Sequence, residues 1–132
     1  MSNLILSLAS CDYDHLRDLL SGRVKAEGID IIPMVFDEPH HIFHRASNFA
    51  DFDIHEMSFG RYISLVSQKK NKMTALPVFP SRVARQSAFY VRTDSKIKTP
   101  SDLEGMRIGI PEWTQTATIY ARGWLAETVG VD

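Results

Sequence analysis

The sequence predicts an α/β fold with a largely parallel sheet. Three observations carry this. Short apolar runs alternate with segments whose apolar residues recur at helical spacing. Caps, glycines and prolines fall between them. The composition, 44% hydrophobic and 23% charged over 132 residues, is that of an ordinary globular chain. The β-α-β-α rhythm places helices over a parallel sheet.

Leu4 to Ala9 reads as a first strand. Asp12 or Asp14 is positioned to cap a following helix whose stripe is Leu16, Leu19 and Leu20. Gly28 introduces a second strand, Ile29 to Phe36, in which Pro33 implies an edge position or a bulge. Asp37 and Pro39 open a second helix that buries Ile42, Phe43 and Ala46. Phe52 to Met57 is a short third strand. Ser58 caps a third helix carrying Phe59, Tyr62, Ile63 and Val66, with Lys69, Lys70 and Lys72 at the negative end of its dipole. Met73 to Phe79 reads as a fourth strand.

A second rhythm then begins. Ser87 to Arg92 and Met106 to Ile110 read as strands. Between them, Thr99-Pro100-Ser101-Asp102 is a compact helix start, stopped by Gly105. A longer helix carries Ala117, Tyr120, Ala121, Trp124, Leu125 and Thr128 on one stripe and ends at Gly130. This reading puts Tyr120 and Trp124 in the core. It divides the chain into a first α/β lobe over 1–86, a crossover strand and linker over 87–98, and the beginning of a second lobe over 99–132. About 34 residues are too few for a stable core of their own, so the second lobe reads as incomplete.

Charge and cysteine content exclude several classes. Lys plus Arg is 15 and Asp plus Glu is 16, a net charge of −1, which disfavours a strongly basic nucleic-acid binder. A single cysteine, Cys11, allows no internal disulfide and no Cys-Cys metal motif. The first ten residues lack a basic leader pattern and no apolar span is membrane-length. The chain therefore reads as soluble and cytoplasmic.

Ligands of open α/β sheets bind outside the carboxyl ends of the strands. That rule selects the loops 10–14, 56–60, 79–85 and 111–116. They hold Asp12, Tyr13, Asp14, Glu56, Ser58, Ser81, Arg82, Arg85, Glu112, Trp113, Thr114 and Thr116. Guanidinium groups pair bidentately with carboxylates, and Trp or Tyr stacks on rings, so the set suits a small aromatic acid. Each residue also has a plainer role: Arg82 and Arg85 as solvated charges, Ser58 and Thr114 as helix caps, Glu56 as an acceptor for the next helix's backbone. His40, His41 and His44 share helical spacing, but the nearest further histidine, His55, lies on another element, so they read as a polar helix face and no metal set is assigned. His55 and Glu56 are strand neighbours and point to opposite faces unless the strand has ended. Gly105 to Gly109 is G-x-x-x-G and lacks the ending of a phosphate loop.

Four stretches in this order and context carry a resemblance: Cys11-Asp-Tyr-Asp14, Glu56-Met-Ser58, Pro77-Val-Phe-Pro-Ser-Arg82 and Arg107-Ile-Gly-Ile-Pro-Glu112. Together they resemble the 4,5-dihydroxyphthalate decarboxylase family, whose fold is similar to type II periplasmic binding proteins, two α/β lobes around a cleft. The Asp94 to Gly105 stretch is general to that fold and carries no substrate information. The resemblance implies a non-oxidative decarboxylase that converts 4,5-dihydroxyphthalate to protocatechuate and CO2, without a cofactor. A solute-binding protein for a small organic anion is the alternative, and an inactive partial domain a third reading. The ligand implied is a small aromatic carboxylate, with no nucleic acid and no membrane; self-association is left open. The roles implied are Arg82 and Arg85 for the carboxylates, Glu56 or His55 for the proton, Asp12 and Asp14 for the hydroxyls, Ser58 and Thr116 as hydrogen-bond donors, and Trp113 over the ring.

Overall fold

The computed structural model describes residues 2–131. It forms two compact units, one over Met1–Met57 with Leu76–Pro80, the other over Ser58–Ala75 with Ser81–Asp132.

The first unit is built on a three-stranded parallel sheet in the order β2-β1-β3. Strand β1 spans Leu4–Cys11, β2 Ile29–Phe36 and β3 only Ile54–His55. The apolar runs extend because β-branched and aliphatic residues fit a pleated surface. β2 is an edge strand, which accommodates the missing N–H of Pro33. Register pairs Ala9 with Met34, Cys11 with Phe36, and Ala9 with His55. One sheet face thus presents Ala9, Cys11, Met34 and Phe36 to helix α2, Pro39–Phe49. Ile42, fully buried, and Ala46 pack there with Phe52, completing the core. Burying a side chain of this size stabilises by about 1.5–3 kcal/mol. The Arg45 guanidinium lies 4.8 Å from the Phe52 ring centroid and donates to Asp51 at 2.8 Å, closing one edge of the core. Asp53 fixes the start of β3 by accepting from the Ser7 amide at 2.8 Å and the Ser7 hydroxyl at 2.7 Å. These donors hold its carboxyl below the usual range.

The helix expected after β1 is shorter than its stripe implies. A 3-10 turn over Asp14–Leu16 leads into α1, Arg17–Leu20, and no side chain caps either. Asp12 and Asp14 are drawn instead to Arg17, at 3.1 and 3.0 Å. Helix α2 begins at Glu38 rather than Asp37 as its N-terminal boundary residue, with Pro39 in the first turn as expected.

The second unit holds α3, Phe59–Ser67, and α4, Thr116–Trp124, with a single π-helical turn, Leu125–Val129, continuing α4 to Gly130. Gly130 takes φ 73°, the left-handed conformation that ends a helix. Thr99 and Asp102 form the predicted capping box on a 3-10 turn, Pro100–Leu103. Ser58 caps α3, accepting from the Arg61 amide. The three strands expected over 73–79, 87–92 and 106–110 do not form among the described residues. A strand is made by pairing its backbone groups with a neighbour, and among the described residues these segments are paired with no strand. Their apolar residues are accordingly exposed, among them Val78, Tyr90, Val91, Met106 and Ile108. Tyr120 is exposed as well, whereas Trp124 packs its ring 5.4 Å from Phe89. The buried positions of α4 and its continuation are Leu125, which the expected stripe includes, and Thr118, which it does not; Thr128 is exposed. No described helix is long and apolar enough to cross a membrane.

Candidate functional site

In the first unit, the carboxyl ends of β1 and β3 gather the proton-active side chains. β3 stops at His55, so Glu56 is freed from strand alternation. Its amide still donates to the Ala9 carbonyl at 3.2 Å, holding it beside β1. The carboxylate then turns across the end of β1. Oε1 accepts from the Cys11 amide at 2.7 Å, and Oε2 accepts from the Tyr13 hydroxyl at 2.9 Å. Both bonds go to a charged acceptor, the stronger class of hydrogen bond. His15 stacks on Tyr13 with ring centroids 5.5 Å apart.

This placement changes the neighbours' acidity. Burial, reinforced by the Glu56 carboxylate, pushes the Cys11 thiol up to about 11. Burial and the same carboxylate also push the Tyr13 phenol upward. Tyr13 is thus kept as a phenol whose proton is committed to Glu56, leaving its oxygen lone pairs to accept from a ligand hydroxyl.

Other predicted residues of this unit stand differently. His55 lies on the Ala9 side of the sheet, with Nδ1 3.1 Å from the Glu56 carbonyl and its ring 6.4 Å from that of Phe52. Asp12 and Asp14 are exposed and ion-paired with Arg17, so their carboxylates share a cation before any ligand arrives.

In the second unit, Ser58 and Thr116 join the starts of α3 and α4. Their hydroxyls lie 3.1 Å apart, the Thr116 amide donates to Ser58 Oγ at 3.1 Å, and the Gly60 amide donates to Thr116 Oγ1 at 2.9 Å. Each hydroxyl therefore serves the other helix's orphan amides. Gly60 permits the approach: a Cβ there would sit 2.8 Å from the Thr114 carbonyl oxygen. Trp113 is 64% exposed, with the Arg122 guanidinium stacked over its ring at 3.5 Å from the centroid. Arg82 is exposed and Arg85 half-buried, and among the described residues neither is in an ion pair.

Sequence reasoning placed Glu56 but passed over two of its partners. Cys11 contributes a backbone amide, which no residue-type argument reveals. Tyr13 was in the selected loop but without a role. The available signal was spacing: Cys11 and Tyr13 are two apart at the end of the strand that neighbours Glu56's own.

No family model matches the chain. Two curated relatives do. A 4,5-dihydroxyphthalate decarboxylase of Comamonas testosteroni is 44% identical over 131 residues, 99% of this chain and 39% of that protein. A 4,5-dihydroxyphthalate decarboxylase of Pseudomonas putida is 40% identical over 131 residues, 99% of this chain and 50% of that protein. The chain thus spans half or less of the length of these relatives. Over the residues it contains, the chain is similar along nearly its whole length to proteins of the 4,5-dihydroxyphthalate decarboxylase type.

Proposed function

We propose that the protein carrying this sequence is a cytoplasmic, non-oxidative decarboxylase acting on a hydroxylated aromatic dicarboxylate, with 4,5-dihydroxyphthalate as substrate and protocatechuate and CO2 as products. The observation that carries the proposal is the similarity over 99% of the chain to two proteins of that name. The Glu56–Tyr13 pair supports it chemically. The two-lobed, type II binding-protein-like architecture is part of the same proposal.

The reaction needs a proton on the ring carbon that bears the departing carboxylate. The carbon–carbon bond to that carboxylate then breaks, its electron pair restores the aromatic ring, and CO2 leaves. A hydroxyl para to that carbon assists by lending electron density as its own proton is shared with an acceptor. Tyr13 Oη is such an acceptor, and its proton is already committed to Glu56 Oε2. The chain substrate hydroxyl to Tyr13 to Glu56 therefore moves negative charge toward the ring without forming a free phenolate on Tyr13. His55 is the second proton-handling group. Arg82 and Arg85 are assigned to the carboxylates, Asp12 and Asp14 to the hydroxyls, Ser58 and Thr116 to hydrogen bonding, and Trp113 to the ring face, each on the chemistry of its side chain.

Product analysis tests the reading. Incubation with 4,5-dihydroxyphthalate should yield protocatechuate and CO2 in equal amounts. Saturable binding of the substrate with no CO2 released would replace the enzyme by a binder of organic anions.

A further inference from the structure

The strongest unassigned feature lies where β2 passes into α2. Glu38, His40 and His41 place one carboxylate oxygen and two imidazole nitrogens within 4.8 Å of one another. Glu38 Oε2 is 3.0 Å from His40 Nε2, and the two imidazole rings are 4.5 Å apart between centroids. Glu38 occupies the position from which a carboxylate ordinarily caps a helix, yet its side chain accepts no backbone amide. It turns to the imidazole instead. His44, one turn further on, is not part of the group; its ring packs edge-on against Phe49 at 5.9 Å. The histidine pairs spaced three and four apart are therefore not the ones that converge.

We propose that Glu38, His40 and His41 form a binding site for a divalent d-block cation such as Zn2+. Two imidazoles and one carboxylate are a borderline donor set suited to Zn2+, Co2+, Ni2+ or Cu2+ rather than to Mg2+ or Ca2+, which take oxygen ligands. Tetrahedral coordination at Zn–N of about 2.0–2.1 Å needs donors about 3.4 Å apart. All three side chains are exposed, so rotamer changes alone close the remaining distance. The glutamate charge offsets the unfavourable positive end of the helix. Three protein ligands leave a coordination position for water or an oxygen-donor ligand. Because Phe36 pairs with Cys11, the β2–α2 junction leaves the same sheet end that Glu56 crosses, and a bound cation would tie that junction to the first turn of α2.

Calorimetric titration of the metal-free protein with zinc chloride tests the site. One equivalent should bind, and bound Co2+ should give visible ligand-field absorption. Glu38→Gln, His40→Ala and His41→Ala should each weaken binding about 10-fold or more, since removing even the groups that support metal ligands costs that much. His44→Ala should match the parent. All four positions are at the surface, and circular dichroism checks that the variants stay folded. No zinc uptake by the parent, unchanged affinity in the His40→Ala/His41→Ala double variant, or an equal loss in His44→Ala would each overturn the assignment.

Discussion

Removing the Glu56 side chain should destabilise the first unit before it affects any reaction. Glu56→Ala strands the Cys11 amide, which sits in a residue only 7% exposed and now donates at 2.7 Å to Oε1. An orphaned buried donor costs about 1–3 kcal/mol. The Tyr13 hydroxyl also loses its acceptor, at 2.9 Å, but is only half-buried and can turn to water, which adds about 1 kcal/mol. The sum, about 2–4 kcal/mol, is a large part of a small domain's stability and corresponds to a Tm drop of about 10–30 °C. Glu56→Gln keeps one acceptor oxygen for Cys11, and Tyr13 can reverse its hydroxyl to accept from the amide, so its loss should stay near 1 kcal/mol. Thermal unfolding followed by circular dichroism gives both values, and hydrogen exchange reports the Cys11 amide directly. A Glu56→Ala protein within 0.5 kcal/mol of the parent, with that amide still protected, would refute the reasoning.

Three further outcomes follow from the geometry. The Cys11 thiol, raised from 9.0 to about 11 by burial and Glu56, should remain neutral well above pH 9, as read by thiolate ultraviolet absorbance. Its folded value exceeds the unfolded one, so its contribution to stability is fully present below pH 9 and lost as pH rises toward about 11; Glu56→Gln should move the titration downward. Ile42→Ala, at a fully buried position between α2 and the sheet, should cost about 2–5 kcal/mol in urea unfolding, and a loss below 1 kcal/mol would deny it that place in the core. Gly60→Ala should cost about 1–3 kcal/mol, because the added Cβ meets the Thr114 carbonyl oxygen at 2.8 Å and the Ile119 Cδ1 at 2.5 Å. A neutral Gly60→Ala would mean that the starts of α3 and α4 do not need their close approach.

Much of the first unit was legible because local signals agree there with tertiary packing. Ile29–Phe36 forms the strand predicted, with Pro33 on an edge, and Ile42 and Ala46 form the helix face that the spacing implies. The segments over 73–79, 87–92 and 106–110 were misread for a definite reason. Their apolar content satisfies strand propensity, but a strand is made by its neighbour, and propensity carries no information about one. Asp12 and Asp14 do not cap: their exposed carboxylates pair with Arg17, three to five residues away, instead of the backbone amides. Glu56 could be selected by its position at a strand end. Its grip on the Cys11 amide could not, since that contact depends on β3 ending at His55, two residues before the expected end at Met57.

The proposed role of Glu56 in the proposed decarboxylation is tested most directly by release of labelled CO2 from 4,5-dihydroxyphthalate carrying 13C in its carboxyl groups, comparing parent and Glu56→Gln at matched folding. The account predicts a loss of about 100- to 10,000-fold in the rate of release, with substrate binding retained. Near-parental release by Glu56→Gln would contradict it.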